Sequence, residues 1–153
     1  MTLSRDLERE HMEIDEAVDS FISSLAASSP DMAALTAALE GLRRHIYFEE
    51  EMLFPPLRQA GLVPPLIVMC REHAEMWATM LALSAMLVPE DDPARLRDLA
   101  ERLMAQLQEH NTKEEMIVYP AAEQMIAAPI REELAARLPR VEMPPEWVCE
   151  AAR

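Results

Sequence analysis

The sequence has 153 residues, half of them hydrophobic, with 5% aromatic residues, two Gly and a formal net charge of -14. Its apolar set of Ala, Leu and Met favours helices, and the length suffices for one real core, so an all-α protein is predicted. The charge argues against a nucleic-acid partner, because phosphate binding needs a basic surface, and equally against an anionic membrane surface.

The start, Met1 to Glu8, lacks an apolar signal core, and no 18-residue apolar run follows. Two Cys, Cys70 and Cys149, make neither a disulfide framework nor a Cys-based zinc site. A cytoplasmic protein in a reducing compartment is therefore expected.

Leu7, His11, Ile14, Val18, Phe21, Ile22 and Leu25 recur at helical spacing and predict a helix from Ser4 to Ser28, with His11 pointing inward. Ser28 to Asp31 reads as a stop and a new start. A second helix is predicted from Pro30 to Phe54, with Leu35, Leu39, Leu42, His45, Ile46, Glu49 and Met52 on its inner stripe. Pro55-Pro56 should break it, with a further turn to Ala60 before Gly61 as a cap. A third helix is predicted from Pro64 to Val88, with Leu66, Met69, Cys70, His73, Met76, Trp77, Met80, Leu83 and Leu87 inward. After Asp91-Asp92-Pro93, a fourth runs to Tyr119, carrying Leu96, Leu99, Leu103, Leu107, His110, Glu114 and Ile117 inward. Pro120 should end or kink it before a continuation to Met125. Pro129 to Leu138 reads as a short fifth helix. The remaining tail either docks through Trp147 or is a mobile end.

Four long helices with short connections predict an up-down-up-down four-helix bundle over residues 1–128, with the fifth helix and tail over 129–153. Two stretches in it match. His45-Ile46-Tyr47-Phe48-Glu49-Glu50 runs on to Phe54-Pro55, and His110-Asn111-Thr112-Lys113-Glu114-Glu115 runs on to Tyr119-Pro120. In each the Pro lies ten residues after the His. Positions i and i+4 share a helix face, so His45 with Glu49, and His110 with Glu114, can reach one site. His11 and His73 precede them by 34 and 37 residues. Coming back along an antiparallel partner, the four His and two Glu should converge in one interior layer. That set suits two metals, each held by two His and bridged by both Glu, with room for an oxo or hydroxo bridge and an open position. Imidazole and carboxylate donors favour iron or manganese over copper(I).

Other residues have plainer expectations. Asp15, four residues after His11, is read as a solvated acid that stands near enough to ligate or to accept from an imidazole N–H. Glu50 and Glu115 turn away from the ligand face and should serve at the surface or as outer hydrogen-bond acceptors. Cys70 reads as a small buried hydrophobe, and Lys113 as a side chain snorkelling at the rim. Ile14, Val18, Phe48, Met52, Met76, Trp77, Met80 and Ile117 should make the surroundings dry, suiting a neutral diatomic better than a charged substrate.

At these residues the sequence resembles the hemerythrin-like family, or HHE cation-binding domain, over Leu7 to Met125. The resemblance implies a non-haem di-iron centre of two iron ions. His11, His45, His73 and His110 would be terminal ligands, and Glu49 and Glu114 bridging ligands. Oxygen-carrying hemerythrins have a second His one turn after the third-helix His. Here Trp77 stands at that position, which moves the expectation away from reversible oxygen carriage. The resemblance therefore implies binding or sensing of O2 or NO, in stress or iron handling. The alternatives are a di-iron oxidoreductase acting on NO or peroxide, a protein that repairs iron centres, and an iron-responsive module that folds on its metal. The ferritin-like class, with repeated Glu-x-x-His motifs, is disfavoured: only Glu8-x-x-His11 has that spacing.

Overall fold

A computed structural model of the chain describes residues 2–27, 29–86 and 92–153; the expected first-helix end at Ser28, and Leu87, Val88 and Asp91, lie outside these residues. Every regular element among the described residues is helical. The long helices are α1 (Leu3–Ser24), α2 (Met32–Phe48), α4 (Pro64–Ala85) and α5 (Pro93–Lys113), with the short α3 (Phe54–Gln59), α6 (Tyr119–Met125) and α7 (Ala128–Arg137).

Local chemistry sets the starts. The hydroxyl of Thr2 accepts from the Arg5 amide, Asp31 from Ala34 and Asp92 from Arg95, each satisfying a donor that the first helical turn leaves over. Pro64 and Pro93 occupy first-turn positions that need no N–H. Gly61 closes α3 at φ 101°, a region strained for any side chain, and the Leu62 amide reaches back to the Leu57 carbonyl.

Neighbouring helices run antiparallel, as the contacts between them require. His11 meets His45 while the later Ile14 packs against the earlier Gly41, its Cγ1 3.5 Å from where a Cβ there would sit. Between α1 and α5, His11 reaches Glu115 and the later Asp15 reaches the earlier Asn111. Helix α4 packs on α5 and on α2, closing the predicted four-helix bundle.

The core is divided. One apolar cluster gathers Ile14, Val18, Leu42, Trp77, Met80 and Leu107 with their neighbours; the other gathers Leu7, Phe48, Phe54, Met69, Val118 and Tyr119 with theirs. Each predicted His lies between a residue of one cluster and a residue of the other along its own helix. A polar layer is thus held between two apolar plugs.

The prolines behave differently from expectation. Pro55-Pro56 do not break the second rod: helix α2 passes through a π-helical turn, Glu49–Leu53, straight into α3. The same happens at Glu114–Val118 between α5 and α6, before Pro120. A proline in a helix lacks the donor for the i−4 carbonyl and crowds that carbonyl. Bonding to the fifth residue back relieves the crowding: the Phe54 amide bonds to the Glu49 carbonyl, and Tyr119 to Glu114. The added residue shifts the phase, so Ile117, expected inside, is 50% exposed, whereas Val118 and Tyr119 are buried.

Helix α7 packs on α1, and its Leu134 and the following Leu138 join Leu3 and Leu7 in the second apolar cluster. The tail beyond it docks. Trp147 sets its ring edge-on to Tyr47 and Trp77, at 5.1 and 5.5 Å, and donates its indole N–H to Glu51. Cys149 is fully buried beside it. No helix among the described residues is long and apolar enough to cross a membrane.

Candidate metal centre

The six predicted donors are all buried and lie together. They form two groups able to hold a cation. His11, His45, Glu49 and Glu114 make one; Glu49, His73, His110 and Glu114 make the other; donor atoms within each lie inside 4.8 Å of one another. Both groups contain both glutamates, and each carboxylate divides its oxygens between them. Glu49 turns Oε1 to His45 Nε2 at 3.1 Å and Oε2 to His73 Nε2 at 3.1 Å. Glu114 turns Oε2 to His11 Nε2 at 3.0 Å and Oε1 to His110 Nε2 at 2.8 Å. The imidazole pairs match as well: His11 with His45, and His73 with His110, have centroids 4.7 Å apart and planes inclined at 57° and 56°.

Each imidazole is aimed by a carboxylate behind it. His11 Nδ1 donates to Glu115 at 2.9 Å, His45 to Glu10 at 3.3 Å, His73 to Glu50 at 2.8 Å and His110 to Glu72 at 2.9 Å. This fixes the Nδ1–H tautomer and leaves Nε2 free to face the centre. Glu115 and Glu50 thus serve as outer acceptors, one of the two roles expected for them. Glu50 is nevertheless buried rather than at the surface, because the docked tail covers it: the Glu150 backbone N–H donates to its carboxylate at 2.8 Å. Glu10 and Glu72 were missed, although each directly precedes a ligand-candidate His in the sequence, and that repeated Glu-His pair was the available signal. Asp15 stands apart from both groups, half-buried and accepting from Asn111. Lys113 reaches Glu72 at the rim, as expected, and so supports the acceptor of His110. Cys70 is buried, and burial together with nearby Glu50 pushes its thiol up to about 12, so it is an unreactive packing group.

Tyr119 is the main residue that sequence reasoning did not reach. Its hydroxyl oxygen lies 2.7 Å from Glu49 Oε1, 3.1 Å from Glu114 Oε2, 2.9 Å from His11 Nε2 and 3.3 Å from His45 Nε2. Only the π-helical turn brings a residue five positions after Glu114 back to the face of Glu114.

The electrostatics are those of a concentrated donor set. Burial opposes charge on His45, but the Glu49 carboxylate and the hydrogen bond to Glu10 carry it up to about 10. Burial opposes it on His73 too, yet the Glu114 and Glu49 carboxylates beside it and the hydrogen bond to Glu50 hold that imidazole well above its ordinary range. Burial would raise the Glu114 carboxyl; the charge of His110 and the close approach of the His11, His110 and His73 ring nitrogens keep it well below the usual range. Tyr119 is pushed well up by burial and by the adjacent Glu114 and Glu49 charges.

The chain alone does not satisfy this layer. Glu49 Oε2, Glu114 Oε1, His73 Nε2 and His110 Nε2 are buried and make no hydrogen bond, although their N···O approaches are short. Buried polar atoms without partners are costly, and these four share one side of the layer. A cation there satisfies all of them, and imidazole with carboxylate is a donor set that divalent transition metals accept.

The family model described as the hemerythrin HHE cation-binding domain matches residues 2–122. No curated protein and no solved structure gives a significant match. The matched span contains all six donors, the four carboxylates behind the imidazoles and both π-helical turns, and it covers most of the chain. The chain therefore belongs to the hemerythrin family of HHE cation-binding domains, and its buried His and Glu clusters fit the cation site that family membership implies.

Proposed function

We propose that the chain is a non-haem di-iron protein that binds or senses a small diatomic ligand, O2 or NO. The observation that carries this reading is the division of Glu49 and Glu114, each with one oxygen in either donor group, which is the arrangement two bridged metals need. His11, His45, His73 and His110 would supply the terminal nitrogens. Iron held there would supply redox-active positions at which a ligand can exchange.

The remaining chemistry belongs to the chain. The carboxylates behind the imidazoles hold each ring in orientation and raise its basicity. The two apolar clusters above and below the layer keep it dry, which favours a small neutral ligand over a charged one. Trp77 cannot ligate, and it fills the position one turn beyond His73 with an indole packed against Trp147. The His73 side thereby has one donor fewer than a fifth imidazole would give, which favours exchange and sensing over carriage.

Anaerobic reconstitution followed by metal analysis tests the centre: iron should load in preference to manganese, at two per chain. Substoichiometric iron overturns the di-iron reading. Spectra of the reduced protein with O2, NO and peroxide then separate the functions. A reversible adduct supports binding or sensing, whereas turnover of NO to nitrous oxide or of peroxide to oxygen replaces that reading with catalysis.

A further inference from the structure

The two donor groups are related by the internal repeat, but one substitution breaks the relation. Tyr119 follows Glu114 by five residues and precedes Pro120; Phe54 follows Glu49 by five and precedes Pro55. Both are fully buried, and each stacks on an imidazole, Tyr119 on His11 at 5.5 Å and Phe54 on His73 at 5.8 Å. Phe54 has no donor atom. Tyr119 presents an oxygen to the group formed by His11, His45, Glu49 and Glu114, and to that group alone.

The distances define a shape. Round the base, His11 Nε2 to His45 Nε2 is 3.0 Å, His45 to Glu49 Oε1 is 3.1 Å and Glu114 Oε2 to His11 is 3.0 Å. The Tyr119 oxygen stands over this base at 2.7 to 3.3 Å from all four atoms. A metal with bonds of about 2.1 Å keeps adjacent ligand atoms about 3.0 Å apart. These three base spacings and four apical ones match the edges of a square pyramid with the phenol oxygen at its apex. The other group has edges as short, His73 Nε2 to Glu49 Oε2 at 3.1 Å and His110 Nε2 to Glu114 Oε1 at 2.8 Å, but among the described residues the ring stacked on its His73 is Phe54, which offers no apical oxygen.

Resting on the metal centre proposed above, we infer that the Tyr119 oxygen is a fifth protein donor to the metal at His11 and His45, and that the metal at His73 and His110 has none. As the oxygen takes the metal, the phenol proton passes to solvent. One position is then filled largely by the protein, and the His73/His110 position keeps the exchangeable face. Phenolate is a hard anionic donor suited to ferric iron, so the arrangement favours the oxidised metal at the first position.

Full-length protein is loaded with ferrous iron anaerobically, its metal content measured, and the iron oxidised with ferricyanide, which takes one electron per iron. A phenolate-to-iron charge-transfer band should appear in the visible, with phenolate ring modes enhanced in resonance Raman spectra excited within it. The chain has only two tyrosines, Tyr47 and Tyr119. Tyr47→Phe should keep the band, and Tyr119→Phe should lose it while still taking up iron. Iron uptake by the unaltered protein without the band overturns the inference and leaves the metal centre standing. A band that survives in Tyr119→Phe, or vanishes in Tyr47→Phe, also overturns it. Failure of the unaltered protein to take up iron overturns the centre and the inference together.

Discussion

The first hairpin, with His11, His45, Glu49, Glu50 and Phe54, and the second, with His73, His110, Glu114, Glu115 and Tyr119, carry the same device on nearly the same spacing. They differ in what surrounds it. Tyr119 gives the second hairpin an oxygen where the first has a bare ring. Glu50 is sealed, its side chain only 3% exposed, and Glu150 of the tail donates a backbone N–H to it at 2.8 Å. Its counterpart Glu115 is 41% exposed and reaches His11 from the surface. Two hairpins that repeat the same His and Glu thus build two inequivalent donor groups, because the hydrogen bonds and burial around a side chain are set by whatever packs on it.

The largest expected effect tests what the halves share. Glu49→Ala and Glu114→Ala should each abolish two-metal occupancy, since each removes a donor from both positions; iron per chain is the readout. If either variant keeps two metals, the bridging assignment fails. Next comes the contrast between the outer acceptors. Glu50→Ala should weaken metal binding by about 10 to 100-fold, because no water can replace a carboxylate sealed beneath the tail. Glu115→Ala should do less, because water reaches His11 Nδ1 in its place. Metal titrations of both variants decide it, and equal losses would show that burial is not what separates them.

The pH dependence comes third. Imidazoles raised in the folded chain add stability that is complete below their ordinary value of about 6.5 and is lost as pH climbs through the folded value, about 10 for His45. The depressed carboxyls of Glu49 and Glu114 add stability present above about 4.5 and lost as pH falls below it. The metal-free chain should accordingly be most stable between these limits and weaken towards alkaline pH, as followed by thermal unfolding across pH. Metal must displace the imidazolium protons, so loading near neutral pH should release protons and tighten as pH rises; calorimetry in buffers of different ionisation enthalpy counts them. The smallest effect on the metal concerns the tail. Trp147→Ala removes two edge-on ring contacts and one hydrogen bond and should cost about 2 to 3 kcal/mol, seen as a fall in Tm with iron content unchanged.

Much of this was legible from residue order. The stripes through His11, His45, His73 and His110 placed four imidazoles inward, and the i+4 spacing put Glu49 and Glu114 beside two of them. Those facts depend only on helical periodicity, which acts within one segment. Glu10 and Glu72 were visible as Glu-His pairs, but their acceptors' roles span two helices: Glu10 serves His45 and Glu72 serves His110. Which acid meets which ring is set by the rotation of one helix against the next.

The sequence by itself determined an all-helical chain, the Asp92 and Gly61 caps, and four His and two Glu on inward faces, because each follows from local propensity and a fixed period, whereas the second helix starts at Met32 under an Asp31 cap and not at Pro30. Only the tertiary structure decided the rest. Prolines inside two continuous rods forced π-helical turns, and the shifted phase sent Ile117 outward and brought Tyr119 in. Packing settled the tail on Trp77 and Tyr47, and folded the tail over Glu50. A periodic rule cannot anticipate a helix that changes its own period, and in this chain the change falls at the donors.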